Sequence, residues 1–130
     1  MTVLPEAVAG LVKLSGGKIV GKTRLQKVAY LLFAKDLWPT DLTFSYHYYG
    51  PFSHELSYGV DDAVALDLVS AERRLGSHKE PYVVFSAQPT TPDFPAADHR
   101  ELVQGVLATL SKYSAVELEL AATAHFLSDV

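Results

Sequence analysis

The residue pattern predicts an α+β fold, mostly helical, with a winged-helix-like core, a small antiparallel sheet or hairpin and a C-terminal helix pair. Three observations carry this expectation. Leu25, Val28, Ala29, Leu32 and Phe33 recur at the i, i+3, i+4, i+7, i+8 spacing of one buried helical face. Two runs rich in β-forming residues, Val69 to Leu75 and Tyr82 to Ala87, flank the polar tip Gly76-Ser77-His78-Lys79-Glu80, as a hairpin with a longer loop requires. Two further apolar-periodic stretches follow, joined by a tight polar junction at Lys112 to Ala115.

Taken in order, Leu4 to Leu14 reads as a short helix with Pro5 in its first turn, ended by Ser15-Gly16-Gly17. Lys22 to Leu37 is the clearest helix. Tyr30, Leu31 and Leu37 widen its apolar stripe, which predicts neighbours on several sides, and Trp38-Pro39 stops it. Thr43 to Tyr49 is aromatic and β-branched and reads as a strand, broken by Gly50-Pro51. Ser53 has the character of an N-cap, with Glu55 in the first turn of a helix running to about Val69. Leu56, Val60, Ala63 and Val64 form its buried face, and Gly59 inside it costs about 1 kcal/mol relative to Ala, so packing must justify it. Three prolines make Gln88 to Pro95 a connecting loop. Ala97 to Tyr113 is a helix carrying Leu102, Val103, Val106, Leu107 and Leu110. Ser114-Ala115-Val116-Glu117 is a capping box that opens a last helix, with Val116, Leu120, Thr123, Ala124 and Leu127 expected on its packed face. These last two helices are expected as antiparallel neighbours.

One domain suffices for 130 residues, 48% hydrophobic and 20% charged. The absence of cysteine excludes disulfides, thiolate zinc sites and cysteine nucleophiles, and fits a reducing cytoplasmic compartment. The N-terminus has no basic stretch followed by an apolar run, and the longest apolar stretch, Val28 to Ala34, is too short for a bilayer, so neither a signal peptide nor a membrane association is expected. The net charge of −4 is unevenly placed: residues 1–35 hold six Lys and Arg against one Glu, and residues 36–130 hold five against fourteen acids. Solvation of the first two helices accounts for that bias more simply than a basic docking patch does.

The sharpest pattern match is Gly16-Gly17-Lys18-Ile19-Val20-Gly21-Lys22-Thr23, which satisfies the phosphate-binding loop G-x-x-x-x-G-K-[ST]. In such a loop the main chain would cradle phosphates, Lys22 would reach the terminal ones and Thr23 would hold Mg²⁺. That chemistry needs a buried parallel strand ahead of the first glycine and a later strand ending in Asp. Residues 5–14 read instead as a helix, so the stretch is expected to be a glycine-rich turn between two helices. A small nucleotide-binding protein using the Gly16–Thr23 loop remains the third reading.

The five histidines, His47, His54, His78, His99 and His125, have no helical ligand spacing and no H-E-x-x-H pattern, so no metal site or cofactor is expected. Ser53 in Gly-Pro-Phe-Ser-His is no nucleophile elbow, and no catalytic constellation emerges. Duplex DNA is the second reading, because a winged-helix layout would send the helix from Ser53 to Val69 into the major groove. Its expected outer face offers Glu55, Ser57, Asp61 and Asp62, and those carboxylates would repel phosphates. Only His54 and Tyr58 suit contacts there. The hairpin tip has Lys79 near Arg73 and Arg74, but also Glu72 and Glu80. The run Phe44, Tyr46, His47, Tyr48, Tyr49, Phe52 is the most unusual composition in the chain. Exposed, such rings suit protein–protein hot spots or base stacking; buried, they are core.

Three segments together resemble a known family. Gly21-Lys22-Thr23-Arg24-Leu25-Gln26-Lys27-Val28-Ala29-Tyr30-Leu31 is similar to the G-K-x-x-L-Q-K-x-x-Y-L opening of the YwgA-like bacterial and phage-associated proteins and of the related Panacea, or SocA-like, antitoxin domain. Tyr46 to Leu56 resembles their Y-x-Y-G-P-[YF]-S-x-x-L element, and Leu118 to Leu127 their L-E-L-x-A-T-x-x-F-L helix. Phe52 stands where Panacea domains usually carry Val after Gly-Pro, which places the chain nearer the YwgA-like branch. The resemblance spans nearly the whole chain, as a single domain over residues 1–130. It implies a non-enzymatic, antitoxin-like interaction module that binds and neutralises or adapts a partner protein, such as a toxin or a protease. The contact surface expected on this reading is Tyr46, Tyr49, Gly50, Pro51, Phe52 and His54, with Arg24 and Lys27 nearby.

Overall fold

The computed structural model describes residues 3–48 and 50–128. Helix α1 (Leu4–Leu14) leads through a short strand β1 (Lys18–Val20) to helix α2 (Lys22–Ala34). A small hairpin, β2 (Ser45–His47) and β3 (Gly50–Phe52), precedes helix α3 (His54–Ala65). Strands β4 (Val69–Leu75) and β5 (Pro81–Ala87) form the long hairpin, and a 3₁₀ turn (Ala97–His99) opens into α4 (Arg100–Leu110), followed by α5 (Ala115–Ser128). The fold is α+β and mostly helical. The three-stranded sheet is antiparallel in the order β1-β5-β4, and β2-β3 make a separate antiparallel pair. Helices α1 and α2 with a strand between them, then α3 and a hairpin whose second strand pairs back to that strand, give the winged-helix-like core.

The strand β1 corrects the expectation of a plain turn between two helices at Gly16–Thr23. Gly17 N–H donates to Val12 O and Lys13 O to close α1, Gly17 O accepts from Ala87 N–H at 2.8 Å, and Gly21 N–H donates to Val83 O at 2.7 Å. The N–H groups of Gly17 and Gly21 are therefore spent on a helix end and a sheet and are not turned to a phosphate cradle. The residues ahead of it are helical, as expected.

The core lies where α1, α2 and α3 meet the sheet, with Val8, Leu11, Leu25, Leu32, Leu56, Val69 and Phe85 sealed from solvent. Leu56, Val60 and Ala63 of α3 are buried as their spacing predicts. Gly59 is explained by packing: a Cβ there would meet Leu4 Cγ at 2.6 Å, so glycine lets α1 and α3 approach. The loop after β5 is tied down by Lys13, whose ammonium donates to Thr91 O at 3.0 Å and pairs with Asp93 at 2.8 Å.

Three further expectations are corrected. Gly50-Pro51 does not end the strand region but lies in β3, where Pro51 stands opposite Tyr46 in a two-stranded pair whose outer edge needs no ladder donor. Helices α4 and α5 share few contacts and each packs on α2 instead of forming an antiparallel pair. The packed face of α5 is rotated from the expected one, and of the expected residues only Thr123 packs inward. Leu118 and Ala122 are buried with Glu119, Thr123 and Phe126 half-buried, while Val116, Leu120, Ala124 and Leu127 are exposed. Gly50 of β3 comes so close to Thr123 that an added Cβ would strike its Oγ1, and this contact seats the Leu118 and Ala122 side of α5 inward.

Candidate functional site

The three sequence segments that carry the family resemblance come together at one place, where α2, the β2–β3 hairpin and α5 cross. Gln26 of α2 acts as a surrogate strand for the chain entering α3. Its Nε2 donates to Ser53 O at 2.9 Å, and Ser53 N–H donates to its Oε1 at 2.9 Å. Both groups are buried, so the amide satisfies main-chain donors and acceptors that water cannot reach. Ser53 in turn caps α3, its Oγ accepting from Leu56 N–H at 3.1 Å.

Lys27 is the next residue on α2 and is only 1% exposed. Its ammonium donates to Pro51 O at 2.8 Å. Burial lowers its pKa below the ordinary lysine value, and the carboxylate of Glu119 on α5 pulls part of the way back. Gly50 adopts φ +91°, a conformation that L side chains rarely take. A Cβ there would strike Thr123 Oγ1 of α5, with Lys27 Cε at 3.5 Å on another side. One helical turn along α2, Tyr30 Oη lies 2.7 Å from His125 Nδ1 of α5, and the Tyr30 ring meets Phe44 edge-on at 5.0 Å.

This junction corrects part of the expected contact surface. Lys27, Gly50 and Pro51 are interior, because the hairpin's base must seat against α2 and α5. Arg24 is only half-exposed and is committed elsewhere. Its guanidinium donates to Leu110 O at 3.0 Å and Tyr113 O at 2.9 Å, closing the carbonyl end of α4 and the turn beyond it. Arg24 and Lys27 therefore do not form a basic surface together. Tyr49 lies outside the described residues.

What the junction leaves in the open is the outer end of the hairpin. Tyr46 is 56% exposed and Tyr48 97%. His47 and His54 are exposed and Phe52 is half-buried, and their three rings form a compact group with centroids 5.0 to 5.3 Å apart. Tyr46 stacks at 6.4 Å on Phe126, which carries the rigidity of α5 to the hairpin. Tyr46, Phe52 and His54 were legible in the sequence as candidates. His47 and Tyr48 join them only in the folded chain, because the β2–β3 pairing puts them at a hairpin end where the sequence reads one continuous strand.

Behind the hairpin, Phe52 lines a partly open pocket of about 170 Å³ between α2, α3 and β5, with Leu25, Val60 and Phe85 as its apolar wall and Lys22 and Asp61 at its polar side. On the outer side of α3, His54, Glu55, Tyr58, Asp61 and Asp62 are exposed, so the helix is acidic where a major groove would lie. On β4, Arg74 pairs with Glu72 at 3.1 Å, which lessens its availability to phosphate. Among the described residues no three His, Asp or Glu side chains gather as a metal site would require, and no helix is long and apolar enough to cross a membrane. Comparison of the chain with protein-family models, with curated proteins and with solved structures finds no match.

Proposed function

We propose that the chain is a non-enzymatic protein-interaction module of the antitoxin type, with Tyr46, His47, Tyr48, Phe52 and His54 as the surface that meets its protein partner. The observation that carries this reading is the near-complete exposure of Tyr48 beside Tyr46 on a hairpin whose base is locked by Lys27, Gln26 and α5. Large rings held on a rigid support bury much area in a complex while losing little conformational freedom, the usual character of a binding hot spot. The same arrangement explains why Lys27, Gly50 and Pro51 accompany the aromatic residues: they position the hairpin without touching the partner. Partners of this chemistry include a toxin to be neutralised or a protease to be supplied with cargo, as the resemblance implies.

The experiment is a comparison of native-lysate capture by the wild-type chain and by the Tyr46→Ser/Tyr48→Ser double variant, at matched thermal stability. Capture of a defined protein that the variant loses supports the reading, and co-expression with that protein then tests rescue from toxicity. Equal capture by both chains removes this surface from consideration. A second reading, a winged-helix DNA-binding regulator, draws on the β1-β5-β4 order and the position of α3. It predicts duplex affinity that falls steeply with salt, against which the carboxylates of Glu55, Asp61 and Asp62 stand.

A further inference from the structure

Strand β1 is the edge of the three-stranded sheet, next to β5 alone. The register pairs Ile19 with Phe85, Gly17 O accepts from Ala87 N–H, and Gly21 N–H donates to Val83 O. In an antiparallel pair hydrogen-bonded positions alternate. The N–H and C=O groups of Lys18 and Val20 must therefore point away from β5. Among the described residues no hydrogen bond reaches them, and both residues are exposed.

This edge opens onto a cleft of about 720 Å³ between β1 and α4. Its apolar lining includes Leu14, Ile19, Val28, Leu107 and Leu110. Ser15 Oγ, which has no hydrogen-bond partner among the described residues, lines the same cleft. The charges on the lining are those of Lys18 and of Arg24, whose guanidinium keeps its charge while holding Leu110 O and Tyr113 O, with no Asp or Glu, in a chain whose net charge is −4. Unpaired donors and acceptors at the two-residue spacing of a strand call for another extended main chain, not for a helix or a flat surface. An apolar lining beside that edge suits every second side chain of such a strand, and the two cations favour acidic residues at the others.

We propose that the β1–α4 cleft binds an extended acidic peptide from a partner protein by strand addition to β1, with alternate apolar side chains against Ile19 and Leu107 and alternate carboxylates near Lys18 and Arg24. This site is independent of the aromatic hairpin and stands or falls separately from it.

The test uses the full chain and an N-acetylated, fluorescein-labelled hexapeptide of alternating valine and glutamate, followed by anisotropy and by amide shifts of Lys18 and Val20. Saturable binding is expected, weakened at least tenfold by Val20→Pro. That substitution removes an edge N–H and leaves the β1–β5 ladder intact, because Val20 N–H does not face β5. If Val20→Pro lowers the melting temperature, a peptide N-methylated on alternate residues gives the equivalent readout on the wild-type chain and should also lose tenfold. Lys18→Glu should weaken binding several-fold and a valine–lysine hexapeptide should not bind, whereas Tyr46→Ser/Tyr48→Ser should bind like wild type. The proposal is overturned by no binding at millimolar peptide, by equal binding to wild type and Val20→Pro, by preferential capture of a single-stranded oligonucleotide, or by concentration-dependent self-association through β1 that excludes the peptide.

Discussion

Gly50→Ala is the most informative single perturbation of the junction, because two separable costs meet at one Cβ. The main chain at Gly50 has φ +91°, and holding an L residue in the left-handed region costs about 1–2 kcal/mol. The new methyl would also strike Thr123 Oγ1, and overpacking of that kind costs about 1–3 kcal/mol. The expected loss is therefore about 2–5 kcal/mol, against a typical domain stability of about 5–15 kcal/mol. Thr123→Ala separates the two terms. It removes Oγ1 but keeps Cβ, which would lie 3.6 Å from the added methyl, an ordinary contact. In the Gly50→Ala background it should return the steric part and leave the backbone part, while Thr123→Ala alone should change stability little. Urea denaturation followed by circular dichroism on all four chains of the double-mutant cycle reads this directly. Full recovery by Thr123→Ala would refute the backbone argument. No recovery at all would refute the packing of α5 on the hairpin, and a Gly50→Ala chain as stable as wild type would refute both.

Other expected outcomes follow from the same geometry. Gln26→Leu leaves Ser53 N–H without its partner in a dry setting, while Ser53 O keeps the Ser57 N–H at 3.1 Å; a loss of about 1–3 kcal/mol is expected, and faster amide exchange at Ser53 would locate it. Lys27 binds its proton less tightly in the folded chain than in the unfolded one. The cost of keeping it charged is thus fully present below its folded pKa and is relieved as pH rises from there toward the ordinary lysine value, so this residue contributes a positive slope of stability with pH. Lys27→Met should lose that slope, and melting curves of the two chains between neutral and alkaline pH should converge or diverge accordingly; parallel curves would contradict the burial argument. Arg24→Ala should cost about 1 kcal/mol after allowance for partial exposure, seen as faster hydrogen exchange in the last turn of α4 and not in α1. A uniform change across the chain would mean that Arg24 does not act through Leu110 O and Tyr113 O.

The elements readable from sequence were those in which a residue's role depends on its near neighbours along the chain. The periodicity of α2, the Ser53 cap on α3, the β4–β5 hairpin and the Ser114–Glu117 capping box all express local geometry, and the last is present as a reciprocal pair, Ser114 N–H to Glu117 Oε1 at 2.9 Å and Glu117 N–H to Ser114 Oγ at 3.1 Å. The misreadings came where a distant partner decided the outcome. Three residues, Lys18–Val20, carry too little pattern to announce a strand, and only β5 makes them one. Helix α5 has apolar residues around most of its circumference, so sequence spacing did not choose its buried face; the close approach of Gly50 to Thr123 did. The site divides in the same way. Tyr46 and His54, which the resemblance puts on the contact surface, are exposed, whereas the residue pattern left Tyr46 open between surface and core; Lys27 and Arg24, which a sequence presents simply as surface cations on a basic helix, are interior and capping residues. Their charge was visible from the beginning. Their partners, the carbonyls of Pro51, Leu110 and Tyr113, are main-chain atoms that every residue possesses, and only the folded chain brings them within reach.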